Sequence, residues 1–291
     1  RTNDIARGPV AIGRPYRGRV DSTRRVWRWS DRTSYDPPMT DLHGRTVLIT
    51  GGNGGIGLGI ARACARAGAN LIVWGRNPDK NTEAQADLRA LGVEAHTLVV
   101  DAADENAVDA GFAESVELAG GRIDSVFANA GVGGDGSRFP DTTLDEWRRV
   151  MTTNLDGVFL LFRAAANHMI DNGEGGALVA TSSTSAIHGA AGNEAYGTSK
   201  TALLGLCRAL AVNLARHQIR VNALLPGWTI TELAQFGYAN DRFREATLRR
   251  TPVRRWADPD EMGAAGVFLA DPTATYHTGD SIVVDGGYTI F

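Results

Sequence analysis

Ser183, Tyr196 and Lys200 lie thirteen and then four residues apart. Residues of these types can move a proton. A free tyrosine phenol has a pKa of about 10, too high for a general base near neutrality. A neighbouring ammonium favours the phenolate and lowers that value. A serine hydroxyl can then hold a substrate oxygen while the phenol gives or takes its proton. At a spacing of four, Tyr196 and Lys200 project from one face of a helix. Lysine is scarce in this chain: of 30 basic residues, only Lys80 and Lys200 are not arginine. A compact ammonium with three donors on a flexible stem differs in kind from a planar guanidinium fork. Lys80 reads as an ordinary surface residue.

A second chemical signal is TGGNGGIGLG, residues 50–59. It follows a short β-branched run, TVLIT, and opens an apolar helical pattern. In that setting glycines let the backbone turn sharply and approach a pyrophosphate seated on the helix N-terminus. Gly51, Gly55 and Gly57 fit one glycine spacing, and Gly51, Gly54 and Gly57 fit another; the loop alone does not choose between them. The next strand ends VWGRN. No acid stands at 74 or 75 to bind a ribose 2′-hydroxyl, and Arg76 is placed to take a 2′-phosphate. NADP(H) is therefore favoured, with NAD(H) as the other candidate.

The elements that must position these residues alternate. Apolar strand-like runs fall at 46–50, 70–75, 95–100, 125–129, 176–182, 220–225 and 281–286. Helical patterns lie between them at 55–69, 78–91, 104–119, 143–172, 196–217 and 259–270. Such alternation predicts repeated βαβ units and a parallel sheet covered on both faces. Right-handed crossovers make it an α/β, doubly wound, Rossmann-like sheet of about seven strands in a single domain over residues 41–291. Residues 1–40 differ: they are rich in arginine and lack an apolar period, and they read as a disordered extension preceding the domain. A targeting or docking arm is the rival reading, and its acids Asp4, Asp21, Asp31 and Asp36 oppose a mitochondrial-type leader.

A formal net charge of -3 and the absence of a long apolar run argue against nucleic-acid and membrane partners. Two lone cysteines, Cys64 and Cys207, predict a reducing, cytoplasmic setting. The six histidines show no metal-ligand spacing, so no metal is expected. His188 differs in lying between Ser183 and Tyr196.

Taken together, these motifs resemble the short-chain dehydrogenase/reductase family over roughly residues 41–291. The matching stretches are TGGNGGIG (50–57), VVDAAD (99–104), NAG (129–131), NLDG (154–157), Ser183, YGTSK (196–200), PGWTIT (226–231) and the VVDGGY that ends at Tyr288. The resemblance implies an oxidoreductase that passes a hydride between a nicotinamide and a secondary alcohol or ketone. It assigns Tyr196 as general acid/base, Lys200 to the nicotinamide ribose and to lowering the Tyr196 pKa, and Ser183 to the substrate oxygen. Thr181, Ser182, Thr184 and Ser185 compete with Ser183, and the family's thirteen-residue spacing selects the last. Asn154 would anchor a relay water. The cofactor would meet Gly51, Asn53, Gly54, Gly55, Ile56, Gly57, Arg76, Asp101, Ala102, Asn129, Ala130, Gly131, Pro226, Gly227, Thr229 and Thr231, as well as Tyr196 and Lys200. The resemblance also selects the Gly51, Gly55, Gly57 spacing and the compact branch of the family, because only some 65 residues follow Pro226.

The stretch 229–250 resembles the family's mobile lid, and closing it would exclude water during hydride transfer. The helix 202–215 is apolar around most of its circumference and needs burial on more than one side. With the family's habit, that predicts a homo-oligomer, a tetramer built on this helix and the one near 154–172. Two further readings stay open: a cofactor-binding sensor or regulatory protein on the same fold, and a related lyase or isomerase. The substrate is a small molecule whose identity these residues do not specify.

Overall fold

Each central strand feeds two cores at once. Leu48 of the first strand faces one apolar layer while its neighbours Val47 and Ile49 face the other. Val126 and Phe127 divide in the same way, as do Leu178 and Val179. This is why the strands read as continuous apolar runs: side chains alternate across a sheet that is buried on both faces.

The computed structural model describes residues 40–291, so the expected N-terminal extension falls outside the described residues save for Thr40. The strands are β1 (Thr46–Thr50), β2 (Asn70–Gly75), β3 (Ala95–Val99), β4 (Ser125–Ala128), β5 (Gly176–Thr181), β6 (Ile219–Pro226) and β7 (Ser281–Val284). All pair in parallel, in the order β3-β2-β1-β4-β5-β6-β7. The helices are α1 (Gly55–Arg66), α2 (Pro78–Arg89), α3 (Glu105–Leu118), α4 (Leu144–Met151), α5 (Gly157–Asn172), α6 (Glu194–Leu214), α7 (Gln235–Ala239), α8 (Asp241–Arg250) and α9 (Gly263–Ala270). Helices α3, α5 and α6 cover one face of the sheet, and α1, α2 and α9 the other. The doubly wound fold is as expected from the sequence.

Strand order reverses between β1 and β4. Ligands of such sheets bind outside the carboxyl ends of the strands at this switch point. The sequence predicted unbroken helix across 143–172. Instead, α4 and α5 are joined by a widened turn, Thr152–Asp156, in which Gly157 N–H returns to the Thr152 carbonyl five residues back. The stretch 229–250 forms a short turn, Glu232–Ala234, followed by α7 and α8.

Candidate active site

Thr50 closes the switch point. Its Oγ1 accepts from Asn129 N–H at 3.0 Å and Ala130 N–H at 3.1 Å, fastening the end of β4 to the end of β1. Asn129 returns the contact through Nδ2 to the Thr50 carbonyl at 3.1 Å and the Gly51 carbonyl at 3.3 Å. The glycine ambiguity is resolved here. Gly55 has φ +50, whereas Gly54 has extended backbone and open space where a side chain would be. A Cβ on Gly57 would strike the Gly51 carbonyl and Asn129 Nδ2. The spacing Gly51, Gly55, Gly57 is thus the constrained one, and Ile56 lies between the last two. Thr231 Cγ2 would stand 3.3 Å from a Cβ on Gly55, so the start of the lid meets the start of α1.

The remaining cofactor candidates lie at or just beyond the carboxyl ends of β1, β2, β3 and β6. Asn53 Nδ2 donates to Asn81 Oδ1 at 2.7 Å, directly over Gly75. Arg76 is exposed beyond it. Asp101, also exposed, accepts from Ala103 N–H, and the Ala102 carbonyl lies against Gly157. Pro226 ends β6, and Gly227 packs against the Asp285 backbone. Thr229 follows in the loop beyond β6. Its side chain is buried and donates to the Gly227 carbonyl at 3.0 Å, so the hydroxyl braces its own loop.

Ser183, Tyr196 and Lys200 converge beside this cleft. Ser182 N–H bonds the Leu224 carbonyl, and the chain then leaves β5 through the short turn Thr184–Ala186. Among the clustered hydroxyls, Ser182 Oγ donates to the Lys200 carbonyl at 2.7 Å, and Thr181 and Thr184 are buried. Ser183 is the one whose hydroxyl acts on the Tyr196 phenol, and its Oγ also accepts from Ser185 N–H at 3.1 Å. Tyr196 sits in the first turn of α6, and Lys200 one turn on, with its Nζ 5.5 Å from the Tyr196 ring centroid. Asn154 is fully buried in the widened turn. Its Oδ1 accepts from Val132 N–H at 2.8 Å, and its Nδ2 donates to the Val132 carbonyl at 2.9 Å and Ser199 Oγ at 3.1 Å. Gly131 is the spacer: a Cβ there would lie 3.2 Å from Asn154 Oδ1 and 3.3 Å from Lys200 Nζ.

The electrostatics differ from the sequence expectation. Tyr196 keeps some open surface, yet packing around the phenol pushes its pKa above the usual value, and the neighbouring Ser183 hydroxyl offsets this only in part. No lowering by Lys200 accompanies this, and its ammonium donates to the Thr181 carbonyl at 2.8 Å. Burial brings Lys200 itself down to about 8. Burial is the leading cause of both shifts.

Comparison with known proteins decides the family. A family model described as enoyl-(acyl carrier protein) reductase matches residues 51–289. Gluconate 5-dehydrogenase of Gluconobacter oxydans is 34% identical over 87% of this chain and 98% of its own length. The chain belongs to the short-chain dehydrogenase/reductase family. Sorbose reductase of Schizosaccharomyces pombe is 38% identical over 86% of this chain and 98% of that protein. A gluconate 5-dehydrogenase of Burkholderia cenocepacia, solved in complex with NADP and tartrate, superposes with a TM-score of 0.82 at 33% identity, covering 87% of this chain and 98% of that one. As a short-chain dehydrogenase/reductase, the protein is an oxidoreductase acting on an alcohol–carbonyl pair with a nicotinamide dinucleotide.

Several residues that shape this short-chain dehydrogenase/reductase site were not identified from sequence. Thr50 is one; its place directly before the glycine loop was the available signal. Asn193 is another: it accepts from Gly134 N–H at 2.8 Å and ties the loop after β4 to the start of α6. Lys80 lies at the surface, as read from the sequence, and its ammonium pairs there with Glu232 of the lid at 2.5 Å. No group of residues fit to hold a metal occurs among the described residues. A cavity of about 250 Å³ lies at the opposite edge of the sheet, between Arg45, Arg122, Asp124 and Arg220. There Asp124 already accepts from Arg45 and Arg122, and the catalytic candidates are elsewhere.

Proposed function

We propose that this enzyme interconverts a secondary alcohol and its ketone with NADP(H) as the preferred cofactor and Tyr196 as the general acid/base. The observation that carries this reading is the convergence of the Ser183 hydroxyl, the Tyr196 phenol and the Lys200 ammonium beside Gly131, at the carboxyl edge of the sheet. The cradle of Gly51, Gly55 and Gly57, with Asn53, Asn129 and Ala130 around it, fits a pyrophosphate at the start of α1. Asp101 and Ala102 border the adenine side, and Pro226, Gly227 and Thr231 the nicotinamide side. Bound there, the nicotinamide supplies or accepts the hydride.

The protein's own residues handle the proton. Ser183 holds the substrate oxygen, and Tyr196 gives its phenolic proton to that oxygen in reduction or removes it in oxidation. Lys200 supplies positive charge beside the phenol and donors for ribose hydroxyls. Asn154 orders the turn that faces Lys200, where a relay water would reach solvent. The preference for NADP(H) rests on Gly75 and Arg76. A side chain at 75 would strike Asn53 and Asn81, which leaves no room for a ribose-binding acid, and the exposed guanidinium of Arg76 follows at once.

Relatives named for gluconate, sorbose and rhamnose point to a polyhydroxylated substrate. Exposed apolar residues on α4, α5 and α6 support a homotetramer. Unpaired, buried Cys64 and Cys207 suit a reducing, cytoplasmic setting. In the test, Tyr196→Phe should still bind NADPH and lose about 10²–10⁴ in kcat. Full turnover by that variant would refute the assignment, and a wild-type preference for NADH would refute the cofactor reading.

A further inference from the structure

Three adjacent strands each release one aromatic side chain at the edge of the sheet that carries Ser183. His188 follows β5 by way of the Thr184–Ala186 turn, Trp228 follows β6 after Gly227, and Tyr288 follows β7. The rings meet. His188 stands edge-on to Tyr288 with 5.3 Å between centroids, and Trp228 stands edge-on to the same ring at 6.3 Å. Trp256 stacks on Trp228 at 5.0 Å from the other side. The lid adds Arg250, the last residue of α8, whose guanidinium lies 4.3 Å from the Tyr288 centroid.

Two atoms of this wall are buried without a partner: His188 Nε2 and Trp228 Nε1. Trp256, by contrast, donates its Nε1–H to Thr247 Oγ1 at 2.9 Å. His188 Nδ1 lies 3.0 Å from the Gly189 carbonyl. Since a carbonyl only accepts, Nδ1 carries the proton and Nε2 is a bare acceptor in the neutral ring. Trp228 Nε1–H can only donate. A buried acceptor and a buried donor, each unpaired, cost free energy that a suitable ligand recovers. Hydroxyl groups, which both donate and accept, satisfy the two together.

Arg250 adds a charge. Its neighbours Arg244, Arg249 and Arg255 each face a carboxylate of this chain, at Asp241, Glu245 and Glu261. Among the described residues, Arg250 has only the Tyr288 ring beneath it. A guanidinium stacked on a ring keeps its donor edge open, and that edge matches a planar carboxylate with two parallel hydrogen bonds.

We propose that His188, Trp228, Tyr288 and Arg250 form a subsite that selects a polyhydroxy carboxylate, an aldonate, over the neutral alditol of the same carbon skeleton. The selection rests on the alcohol–ketone reading above only for the position of the reacting carbon near Ser183 and Tyr196. Phe243 and Arg250 of α8 cover these rings, so the substrate enters as the lid lifts; Arg250 then takes the carboxylate, and His188 Nε2 and Trp228 Nε1–H take hydroxyls. Because Arg250 is on the lid, an anionic substrate also draws the lid onto the site.

The test uses the full chain with saturating NADP⁺. Binding of D-gluconate, D-galactonate and L-idonate is followed by tryptophan fluorescence against D-glucitol, galactitol and L-iditol, and initial rates are measured for each. At least one aldonate should bind about tenfold or more tighter than its alditol, the size of one charge-assisted contact. Arg250→Gln should abolish that ratio, and Arg250→Lys should restore part of it. His188→Phe, which keeps the ring and removes the acceptor, should weaken the bound aldonate by about fivefold or more. Binding of no aldonate, equal binding of aldonates and alditols, or an Arg250→Gln protein with an unchanged ratio would overturn the subsite. Turnover of alditols alone would overturn the subsite and leave the alcohol–ketone reading standing. Tight aldonate binding without hydride transfer from any of the compounds to NADP⁺ would leave the subsite standing and overturn that reading.

Discussion

An ammonium held as deeply as that of Lys200 opposes the stability of the fold that holds it. Its side chain is 4% exposed, and burial lowers its pKa from the ordinary lysine value to about 8. The unfolded chain therefore holds this proton more tightly than the native one. The cost is fully present below about pH 8 and is relieved as pH rises toward the unfolded value near 10.5. Lys200→Met keeps the length of the side chain and removes the charge. Its stability relative to wild type should be greatest at neutral pH and should fall by about 3 kcal/mol between pH 7 and pH 10. Urea unfolding at the two pH values measures this, and an unchanged difference would mean that the buried charge is not the source. The variant should also lose turnover, because it removes the ammonium 5.5 Å from the Tyr196 ring and with it the donors proposed for the ribose hydroxyls. The role proposed for Lys200 thus opposes stability, which fits the placement of one of only two lysines at this position.

At the scale of elements, the widened turn between α4 and α5 organises one side of the site. Asn154 answers both the N–H and the carbonyl of Val132, and Ser199 besides, from a fully buried position. Asn154→Ala leaves those buried groups unpaired and should cost about 2–4 kcal/mol. It should lower kcat as well, since Gly131 stands between this side chain and the Lys200 ammonium. A urea midpoint within error of wild type would show that the loop after β4 holds its shape unaided. This turn was not legible in the sequence. A single hydrogen bond reaching five residues back leaves the apolar period of 143–172 nearly intact. The strands were legible because their two-sided burial makes them short, uninterrupted apolar runs ending at glycine or polar residues. Ser183, Tyr196 and Lys200 were legible by spacing. The aromatic wall was not: His188, Trp228 and Tyr288 are separated by long stretches of sequence, and only the order of β5, β6 and β7 in the sheet brings them together.

The whole molecule leaves apolar side chains on the outside in places that its own packing does not explain. Phe159 of α5 is 49% exposed, and Leu144 of α4 and Val212 of α6 are exposed too. Single exposed apolar residues are ordinary on a protein surface; their recurrence on α4, α5 and α6 calls for a covering surface. The outward side of α6 also carries Gly205, with open space where a side chain would be, which permits close approach of another backbone. Phe159 is the informative position. Arg163 lies over its ring at 5.5 Å and pairs with Glu105 of α3, so a charge placed at 159 would enter a site already framed by ions. An isologous contact would bring two such charges close together, and like charges at a buried interface are strongly unfavourable. Wild type should therefore show a light-scattering mass near four times 31.0 kDa, and Phe159→Glu a mass of half that or less at the same micromolar concentration. The variant's circular dichroism should be unchanged, because the side chain it replaces packs on no buried core of its own chain. A wild-type mass equal to one chain would remove the tetramer, whereas an unchanged mass in the variant would move the interface away from α5 to another exposed face.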